Sequence, residues 1–329
     1  MGRRRVHEIR KSGNDDGPVT IRPFRFGLSV GGSSGRDDFV ATVQNAEASG
    51  FDVISSADHI GRRLAVLPML AVAAEISSLR ISPMVMANDY RHPVLLAKDT
   101  ATIDVLSGGR FELGIGTGWI EEQYNAVGIR YDPPRARVDR FEEAIAVIKG
   151  CWSGEPFSFA GEYYQLHQVT CPRPIQRPHP PLLIAGAGRR MLRLAGQEAD
   201  IVGISPLTKG MAGFNEFGAA VGTSGDRIDA QLEWIRETAG ERFDEIELSI
   251  VAHHVEVTPD IDEAVAKLAA ESHTTQEQVR DSPHLLIGPV ESLVDTLLDH
   301  RERYGISYIV FGGDDLEAIS PVIEQLAGS

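Results

Sequence analysis

Cysteine is scarce in this chain, and long apolar runs are missing. The 329 residues contain only Cys151 and Cys171, whose spacing matches neither a redox C-x-x-C pair nor a zinc-binding pattern. No uninterrupted apolar stretch approaches the ~20 residues that a membrane-spanning helix requires. The first residues lack the apolar core of a secretion signal. These absences predict a globular, cytoplasmic protein without a membrane segment.

An excess of basic charge is also missing. Lysine and arginine total 32 residues against 47 aspartates and glutamates, which gives a formal net charge of −15. Such a charge repels polyanions and argues against a nucleic-acid-binding protein. Arg3, Arg4 and Arg5 are interpreted as part of a flexible, solvated tail of residues 1–22. A phosphorylated ligand would therefore need a local cluster of donors.

The two common phosphate-binding fingerprints are absent as well. Gly114, Gly116 and Gly118 occupy alternate positions, but no Lys-Ser/Thr pair follows them as in a P-loop. Their spacing also misses the dinucleotide pattern G-x-G-x-x-G by one residue. These glycines either merely end a strand or form a loop in which a ligand contacts backbone.

What the chain does contain is a regular alternation of helix and strand patterns. In residues 91–119, Pro93 suits the first turn of a helix, and Gly108 and Gly109 end that helix. A short apolar strand follows at residues 111–115. This segment predicts one helix followed by one buried strand.

The same alternation recurs eight times. The candidate strands are residues 24–30, 52–58, 80–87, 111–115, 182–187, 199–204, 246–257 and 307–311. A predicted hairpin insertion interrupts the pattern at about residues 152–180, where aromatic residues flank an Ala-Gly turn. The predicted fold is an α/β (β/α)8 TIM barrel with insertions, a single domain over residues 23–329.

Parallel strands joined by helical crossovers direct all their carboxyl ends to one face of a barrel, and ligand sites form there. Polar residues and glycines follow several of the predicted strands. On this face we expect Asp58, His59, Asn88, the loop of residues 116–119 and the loop of residues 186–190.

With these residues in place, the chain resembles the luciferase-like monooxygenase superfamily, and more narrowly the actinobacterial oxidoreductases that use the deazaflavin coenzyme F420. The resemblance covers about residues 24–326. The segments that carry it are RPFRFG, SADH, YRHPVLLAKDTATIDVLSGGRFELGIGTGW, FAGEYYQL and IAGAGRRMLRLAGQEADIVGI. It implies a bacterial luciferase-like barrel that holds F420, or alternatively FMN, at its carboxyl face. F420-dependent members transfer a hydride between the deazaflavin C5 and a substrate carbon.

The resemblance implies roles for individual residues around the cofactor ring. Asp58 would accept a hydrogen bond, and His59 would be the catalytic residue that exchanges a proton with the substrate. A non-proline cis peptide behind the ring aligns with Met84–Val85, with Pro83–Met84 as the alternative. Asn88 either reaches the polar edge of the ring or is a plain turn former.

The loop after the fifth predicted strand is the predicted phosphate site. Its backbone N–H groups begin a helix, where the helix dipole favours an anion. The resemblance matches five residues to contacts with the phosphate-bearing tail of the cofactor: Ala187, Gly188, Arg189, Arg190 and Met191. The two arginines would also offset the acidic field of the chain. The alternative is a glycine-rich turn with solvated arginines.

Thr117 and Gly118 match positions whose backbone contacts the cofactor, whereas Trp119 departs from the family pattern. In the sugar-phosphate dehydrogenase branch this position is a catalytic glutamate, whose proton-transfer role tryptophan cannot take. Trp119 would instead stack against the substrate or fill the barrel mouth. The adjacent His253 and His254 would point to opposite faces of a strand, so no metal site is predicted.

The leading prediction is an F420-dependent oxidoreductase acting on a small organic molecule. An FMNH2-dependent luciferase-like monooxygenase is the alternative, and a non-catalytic deazaflavin-binding protein is the second alternative. The expected partners are a small-molecule substrate and a second copy of the chain in a homodimer. No nucleic acid and no membrane is expected as a partner.

Overall fold

A computed structural model describes residues 22–31, 35–61, 64–206, 220–221 and 223–329. The predicted tail, residues 1–22, lies outside the described residues apart from Arg22. The glycine-rich region after the sixth predicted strand lies largely outside them as well. In the described part of the chain, no helix combines the length and the apolar character needed to cross a membrane.

The strands and helices are numbered in chain order. The strands are β1 (Arg25–Ser29), β2 (Val53–Ser56), β3 (Arg80–Pro83), β4 (Met86–Ala87), β5 (Leu113–Gly116), β6 (Phe157–Ala160), β7 (Gln165–Val169), β8 (Leu182–Gly186), β9 (Ile201–Ile204), β10 (Glu247–Val251), β11 (His254–Val257), β12 (Leu285–Gly288) and β13 (Ile306–Gly312). The α-helices are α1 (Arg36–Ala48), α2 (Val66–Ile76), α3 (Pro93–Leu106), α4 (Glu121–Ala126), α5 (Pro134–Trp152), α6 (Arg189–Glu198), α7 (Gly225–Ala239), α8 (Ile261–Glu271), α9 (Gln276–Asp281), α10 (Val290–Tyr304) and α11 (Leu316–Leu326).

The main sheet is a parallel barrel with the strand order β3-β2-β1-β13-β10-β9-β8-β5-β4. Because β3 pairs with β2 and β4 pairs with β5, β3 and β4 are two halves of one interrupted strand. Two backbone hydrogen bonds of 3.0 Å, from Ile81 N to Arg110 O and from Glu112 N to Ile81 O, complete the ring. The predicted (β/α)8 TIM barrel is confirmed, and each of the eight predicted strands contributes to it.

Helix α3 begins at Pro93, as the sequence predicts. The His92 side chain accepts a 3.3 Å hydrogen bond from the backbone N–H of Val94 and caps the helix. Gly108 and Gly109, with φ angles of 66° and 81°, follow its end. Positive φ angles are accessible to glycine at little cost, so this pair turns the chain into β5.

The predicted extent of the seventh strand, residues 246–257, was wrong. Only β10 belongs to the barrel, whereas β11 leaves it and pairs in parallel with β12. The chain changes partner at His253, whose backbone N–H donates to His284 O at 2.9 Å. The apolar pattern is the same on both sides of this point, so the sequence carries no local signal for the change.

Within the segment of the predicted hairpin insertion, β6 and β7 pair antiparallel. A single side chain of α5 fixes its turn. The Glu143 carboxylate accepts backbone hydrogen bonds from Glu162 at 2.6 Å, Tyr163 at 2.9 Å and Tyr164 at 3.1 Å. The hairpin therefore lies against α5.

The core has two apolar layers. The outer layer lies between the strands and the helices and includes the predicted α5 stripe of Phe141, Ala144, Ile145 and Ile148, all buried. The inner layer fills the barrel with Val53, Leu183, Ile201, Tyr308 and Val310. Such filling is the usual arrangement in eight-stranded barrels, whose interior is packed and forms no pore.

Ion pairs fill the amino-terminal end of the barrel. Arg25, at the start of β1, contacts Glu112 at 2.6 Å and Glu247 at 2.5 Å. Glu112 is 1% exposed and also pairs with Arg80 at the start of β3. Because charged side chains occupy this end, the opposite end, where the strands terminate, is the face on which a ligand can lie.

Candidate active site at the barrel mouth

A bulge interrupts the strand formed by β3 and β4. The peptide bond between Met84 and Val85 is cis, at the predicted position and not at the alternative Pro83–Met84. Met84 N donates to Ser56 O at 2.8 Å, and Asp58 N donates to Val85 O at 3.4 Å. The bulge is thereby joined to the end of β2.

Four side chains cover the inner layer of the barrel at its carboxyl end. Met84 and Val85 of the bulge, Ala185 of β8 and Val251 of β10 are partly buried and pack on the inner cluster. We call these four residues the apolar floor. An apolar surface of this kind suits the face of a flat aromatic ring.

The glycines of β5 make room for the bulge. A Cβ atom on Gly114 would lie 2.0 Å from Pro83 O, and one on Gly116 would lie 3.1 Å from a Val85 methyl group. Side chains are therefore excluded at Gly114 by backbone and disfavoured at Gly116 by packing. The sequence left open whether these glycines end a strand or expose backbone to a ligand, and at these two positions they accommodate the neighbouring strand.

Asp58 is buried at the end of β2, with 7% of its side chain exposed. Its two oxygens lie 2.5 Å and 3.2 Å from the Arg91 guanidinium, and Oδ2 also accepts a 3.3 Å hydrogen bond from Ala87 N. A bidentate pair of this kind is among the stronger charged contacts in proteins. Asp58 thus ties the end of β2 to the segment that follows β4.

His59, the next residue, is partly exposed and contacts helix α4. Its Nδ1 lies 3.3 Å from Gln123 Nε2. Gln123 Oε1 accepts hydrogen bonds from Ile60 N at 2.9 Å and from Tyr90 Oη at 3.4 Å. Neither α4 nor Gln123 was predicted, although Glu121 and Glu122 after a glycine-containing loop are a typical start of a helix.

Asn88 is 1% exposed and joins the bulged strand to the hairpin. Its Nδ2 lies 3.2 Å from Asp89 Oδ1, and its amide also hydrogen-bonds Tyr164. Asp89 pairs with both ends of the Arg140 guanidinium, at 2.8 Å and 2.7 Å. Burial raises the pKa of Tyr164, while the bond from Asn88 opposes that shift. Tyr164 is a residue of the mouth that the sequence did not identify.

The loop after β5 is held through its carbonyl groups. Thr117 O accepts hydrogen bonds from Tyr124 Oη at 3.0 Å and from Arg137 Nη1 at 3.4 Å. Arg137 also donates to Gly118 O, and Trp119 O accepts from Tyr131 Oη at 3.0 Å. The Trp119 side chain is 39% exposed. The carbonyl groups of all three predicted residues are thus fixed in position.

The start of helix α6 has the features of an anion site. Its N-cap is Gly188, which provides no side-chain cap, and a Cβ atom there would meet nothing within 4 Å. The preceding loop is pinned by Gln231, whose Nε2 donates to Ala187 O and Ser205 O, both at 3.1 Å. The amides at the start of α6 therefore have no capping side chain as acceptor, and they follow a fixed loop.

The two arginines of this loop are held in surface ion pairs. Arg190 pairs with Asp139 at 2.5 Å and Glu142 at 3.0 Å on α5, and Arg189 pairs with Glu237 of α7 at 3.2 Å. Arg193 also pairs with Glu237. Arg135 lies 3.9 Å from Asp139, so four guanidinium groups share three carboxylates. The carboxylates come from helices distant in sequence, and the offset of the acidic field by these arginines stays a prediction.

The predicted site residues lie on consecutive strands of the barrel. Asp58 and His59 follow β2, Asn88 follows β4, residues 117–119 follow β5, and residues 187–191 follow β8. These strands are neighbours in the order β2, β3/β4, β5 and β8. The candidates therefore occupy one half of the carboxyl-end rim.

The two adjacent histidines after β10 have different surroundings. The His253 ring lies 5.6 Å from the His284 ring, and burial lowers the pKa of His253 to about 4. His254 Nε2 lies 3.3 Å from Glu256. Among the described residues, no group of three or more His, Cys, Asp or Glu side chains is arranged to hold a metal ion.

Comparison with known proteins connects this geometry to a family. The chain is 34% identical over 175 residues to an F420-dependent glucose-6-phosphate dehydrogenase of Beutenbergia cavernae, a match that covers 50% of this chain and 51% of that protein. It is 32% identical over 168 residues to an FMNH2-dependent dimethylsulfone monooxygenase of Pseudomonas putida, which covers 48% and 46%. These matches span only about half the length of each relative.

The fold is shared more completely. A coenzyme F420 dependent tetrahydromethanopterin reductase from Methanopyrus kandleri superimposes with a TM-score of 0.72 over 93% of this chain and 100% of that one, at 20% identity. The sequence profile of the luciferase-like monooxygenases matches residues 20–296. Since that match covers most of the barrel, the chain belongs to the luciferase-like monooxygenase family.

Proposed function

We propose that this protein is an F420-dependent oxidoreductase that transfers a hydride between the deazaflavin C5 and a carbon of a small organic substrate. The observation that carries the proposal is one rim on which an open helix N-terminus, an apolar floor and a partly exposed histidine occur together. Relatives that use F420 support the choice of cofactor. When bound, the deazaflavin supplies the hydride chemistry.

The residues at the start of α6 fit the phosphate-bearing tail. In our proposal, Ala187, Gly188 and Met191 contact a phosphate group through their backbone, where the helix dipole favours negative charge. Arg189 and Arg190 turn from their surface carboxylates to the phosphate. Exposed ion pairs contribute only about 0–1 kcal/mol, so this exchange is energetically accessible.

The ring of the cofactor lies against the apolar floor in this proposal. Met84 and Val85 support the ring from behind, while Thr117 and Gly118 border it through backbone. Asp58 acts chiefly by holding Arg91 and the end of β4 in place, because both of its oxygens are already engaged. Asn88 is likewise buried and holds Tyr164 at the edge of the site.

The substrate lies between His59 and Trp119. Trp119 has no carboxylate with which to exchange a proton, so a sugar phosphate handled through a glutamate at this position does not fit. Its exposed indole offers a flat apolar surface to a small organic molecule.

Titration of the purified protein with F420 and, separately, with FMN tests the cofactor. We expect F420 to bind more tightly than FMN, read by F420 fluorescence or calorimetry. Arg190→Ala should weaken F420 binding, because a phosphate contact is lost. Tight FMN binding without F420 binding would overturn the proposal.

The FMNH2-dependent monooxygenase is a second candidate, since a relative of about the same identity carries that activity. Oxygen consumption that depends on reduced FMN and on an added substrate would support it. The non-catalytic alternative requires F420 binding without turnover of any screened carbonyl or alcohol. It also requires that His59→Ala leaves every measured property unchanged.

We also propose a homodimer formed through the outer faces of α2 and α3. Leu95 and Leu106 lie on one side of α3 and are 59% and 75% exposed, and Val72 of the neighbouring α2 is exposed as well. Exposed apolar patches commonly mark contacts between proteins. Analytical ultracentrifugation of the full chain tests this state.

The two free, buried cysteines support a cytoplasmic location.

A further inference from the structure

Gln123 links three groups at the mouth. Its Oε1 accepts from Ile60 N at 2.9 Å and from Tyr90 Oη at 3.4 Å, and its Nε2 lies 3.3 Å from His59 Nδ1. A backbone N–H can only donate, so the Gln123 atom that faces Ile60 must be the amide oxygen. The chemistry of its partners therefore fixes the orientation of the amide.

That orientation determines which ring nitrogen of His59 carries the proton. The amide nitrogen of Gln123 can only donate, so Nδ1 of His59 must accept. In the neutral ring the proton then resides on Nε2. We propose that Gln123 is a positioning residue that holds His59 as the Nε2–H tautomer, so that the neutral imidazole acts as a hydrogen-bond donor and not as a base.

The buried neighbour of Gln123 holds this arrangement in place. Tyr124 packs inside the mouth, and its Oη donates to Thr117 O at 3.0 Å and lies 3.3 Å from Asp89 Oδ2. Helix α4 is thereby attached to the segments after β4 and β5. For His59 to become a base, its proton must move to Nδ1 and the Gln123 amide must reverse. That reversal would place the amide nitrogen against the Ile60 N–H, two donors facing each other.

The tautomer indicates a substrate class, and this step rests on the proposed function. His59 is partly exposed, and its Nε2 has no hydrogen-bond partner in the described part of the chain, so its N–H is available to a ligand. The matching acceptor is the oxygen of a ketone or aldehyde. When bound, reduced F420 would supply a hydride to the carbonyl carbon. The C=O electron pair would move to oxygen, and that oxygen would take a proton from water, which leaves as hydroxide. His59 stabilises the growing negative charge and keeps its own proton.

NMR of the full chain labelled with 15N-histidine tests the tautomer directly. Spectra are recorded at a pH where imidazoles are neutral, and the signals of His59 are those missing from His59→Gln. We expect a protonated Nε2 and a non-protonated Nδ1. A proton on Nδ1, or averaged shifts of two interconverting tautomers, would overturn the proposal.

The variant Gln123→Glu tests whether Gln123 determines the tautomer of His59. The carboxylate has the shape of the amide and still accepts from Ile60 and Tyr90, but its second oxygen requires a donor at His59 Nδ1. We expect the proton to move, so that Nδ1 becomes protonated in the variant. Asn125→Asp, on the exposed side of the same helix, adds the same charge and should leave the His59 signals unchanged. An unchanged pattern in Gln123→Glu would refute the role of Gln123.

The NMR experiment and the cofactor titration can fail independently of each other. If His59 has the expected tautomer but the protein binds no F420, the role of Gln123 holds and the proposed function falls. If F420 binds but Nδ1 of His59 carries the proton in the wild type, the proposed function holds and the role of Gln123 falls.

Discussion

Gly118 must be glycine for two separate reasons. Its φ angle is +71°, and a Cβ atom would lie 2.0 Å from Tyr124 Oη. Gly128 shares the first property, with φ of +73°, but a Cβ atom there would meet nothing within 4 Å. A comparison of substitutions at Gly118 and Gly128 therefore separates the free-energy cost of the backbone conformation from the cost of steric overlap.

We expect Gly118→Ala to destabilise the protein more than Gly128→Ala. An alanine at positive φ costs about 1 kcal/mol, and overlap with Tyr124 adds about 1–3 kcal/mol at Gly118 only. Urea unfolding measures both changes. Equal losses of unfolding free energy in the two variants would show that Tyr124 moves aside freely and does not hold the loop.

Among individual residues, the sequence placed the candidate site residues that lie at strand ends. Asp58 and His59 follow a recognisable apolar run, so their place on the rim could be predicted. The structure shows what they contact, which the sequence could not. Gln123 reaches an N–H group 63 positions away in the chain, and no local pattern encodes such a contact.

Helix α6 begins without a capping side chain. Ser, Thr, Asp and Asn are preferred at this position because their oxygen accepts from a free N–H of the first turn. Gly188 has extended backbone angles that any of these residues can adopt. Its glycine leaves those N–H groups available to another acceptor.

Gly188→Asp should therefore separate binding from stability. An aspartate caps the helix and leaves unfolding free energy unchanged or raises it by a few tenths of a kcal/mol, about the difference between these caps. Its charge repels a phosphate, so F420 affinity should fall about tenfold or more.

Gly35→Asp is the matched control. Gly35 is the N-cap of α1, also extended and without neighbours within 4 Å. Helix α1 follows β1, which lies opposite β8 in the barrel. The variant Gly35→Asp should leave the affinity for F420 unchanged. If the wild type and Gly188→Asp bind F420 equally well, α6 does not belong to the cofactor site.

The elements themselves could be predicted wherever local pattern decides them. The strands of the barrel coincide with apolar runs, and α5 coincides with an apolar stripe at helical spacing. The sequence therefore predicted these elements. Strand β12 is a four-residue run between two helices, and its pairing with β11 depends on a partner about thirty residues earlier. Short runs of this kind do not distinguish strand from helix or loop.

Three histidines lie close together where β10, β12 and α10 meet. His284 is fully buried, and its Nδ1 lies 3.0 Å from Val251 O. Burial lowers the pKa values of His253, His284 and His300 from 6.5 to about 4. All three are neutral in the folded protein at neutral pH.

These histidines should make the protein less stable in mild acid. The unfolded chain takes up protons near pH 6.5, whereas the folded protein takes them up only near pH 4. Their contribution is therefore fully present above pH 6.5 and is lost as pH falls towards 4, by about 1.4 kcal/mol per pH unit for each histidine. Urea unfolding at several values between pH 7.5 and 5 measures this slope.

His284→Asn should reduce the slope, because the variant retains an amide donor for Val251 O but no longer titrates. His167→Asn, at an exposed position of the hairpin, should leave it unchanged. If His284→Asn has the wild-type slope, His284 does not cause the acid sensitivity. The composition alone gives ten histidines and no indication of which three are buried.

The attachment of the hairpin through Glu143 has a consequence for variation in this region. Three consecutive amides bind one carboxylate, and Gly161 leaves room for it, because a Cβ atom there would lie 2.2 Å from Glu143 Oε2. A foreign hairpin grafted here would have to keep these amides, the glycine and the apolar side chains that pack on the core, which are Phe157, Phe159, Tyr164, Leu166 and Val169. The exposed positions of the hairpin could then be varied while the barrel remains unchanged.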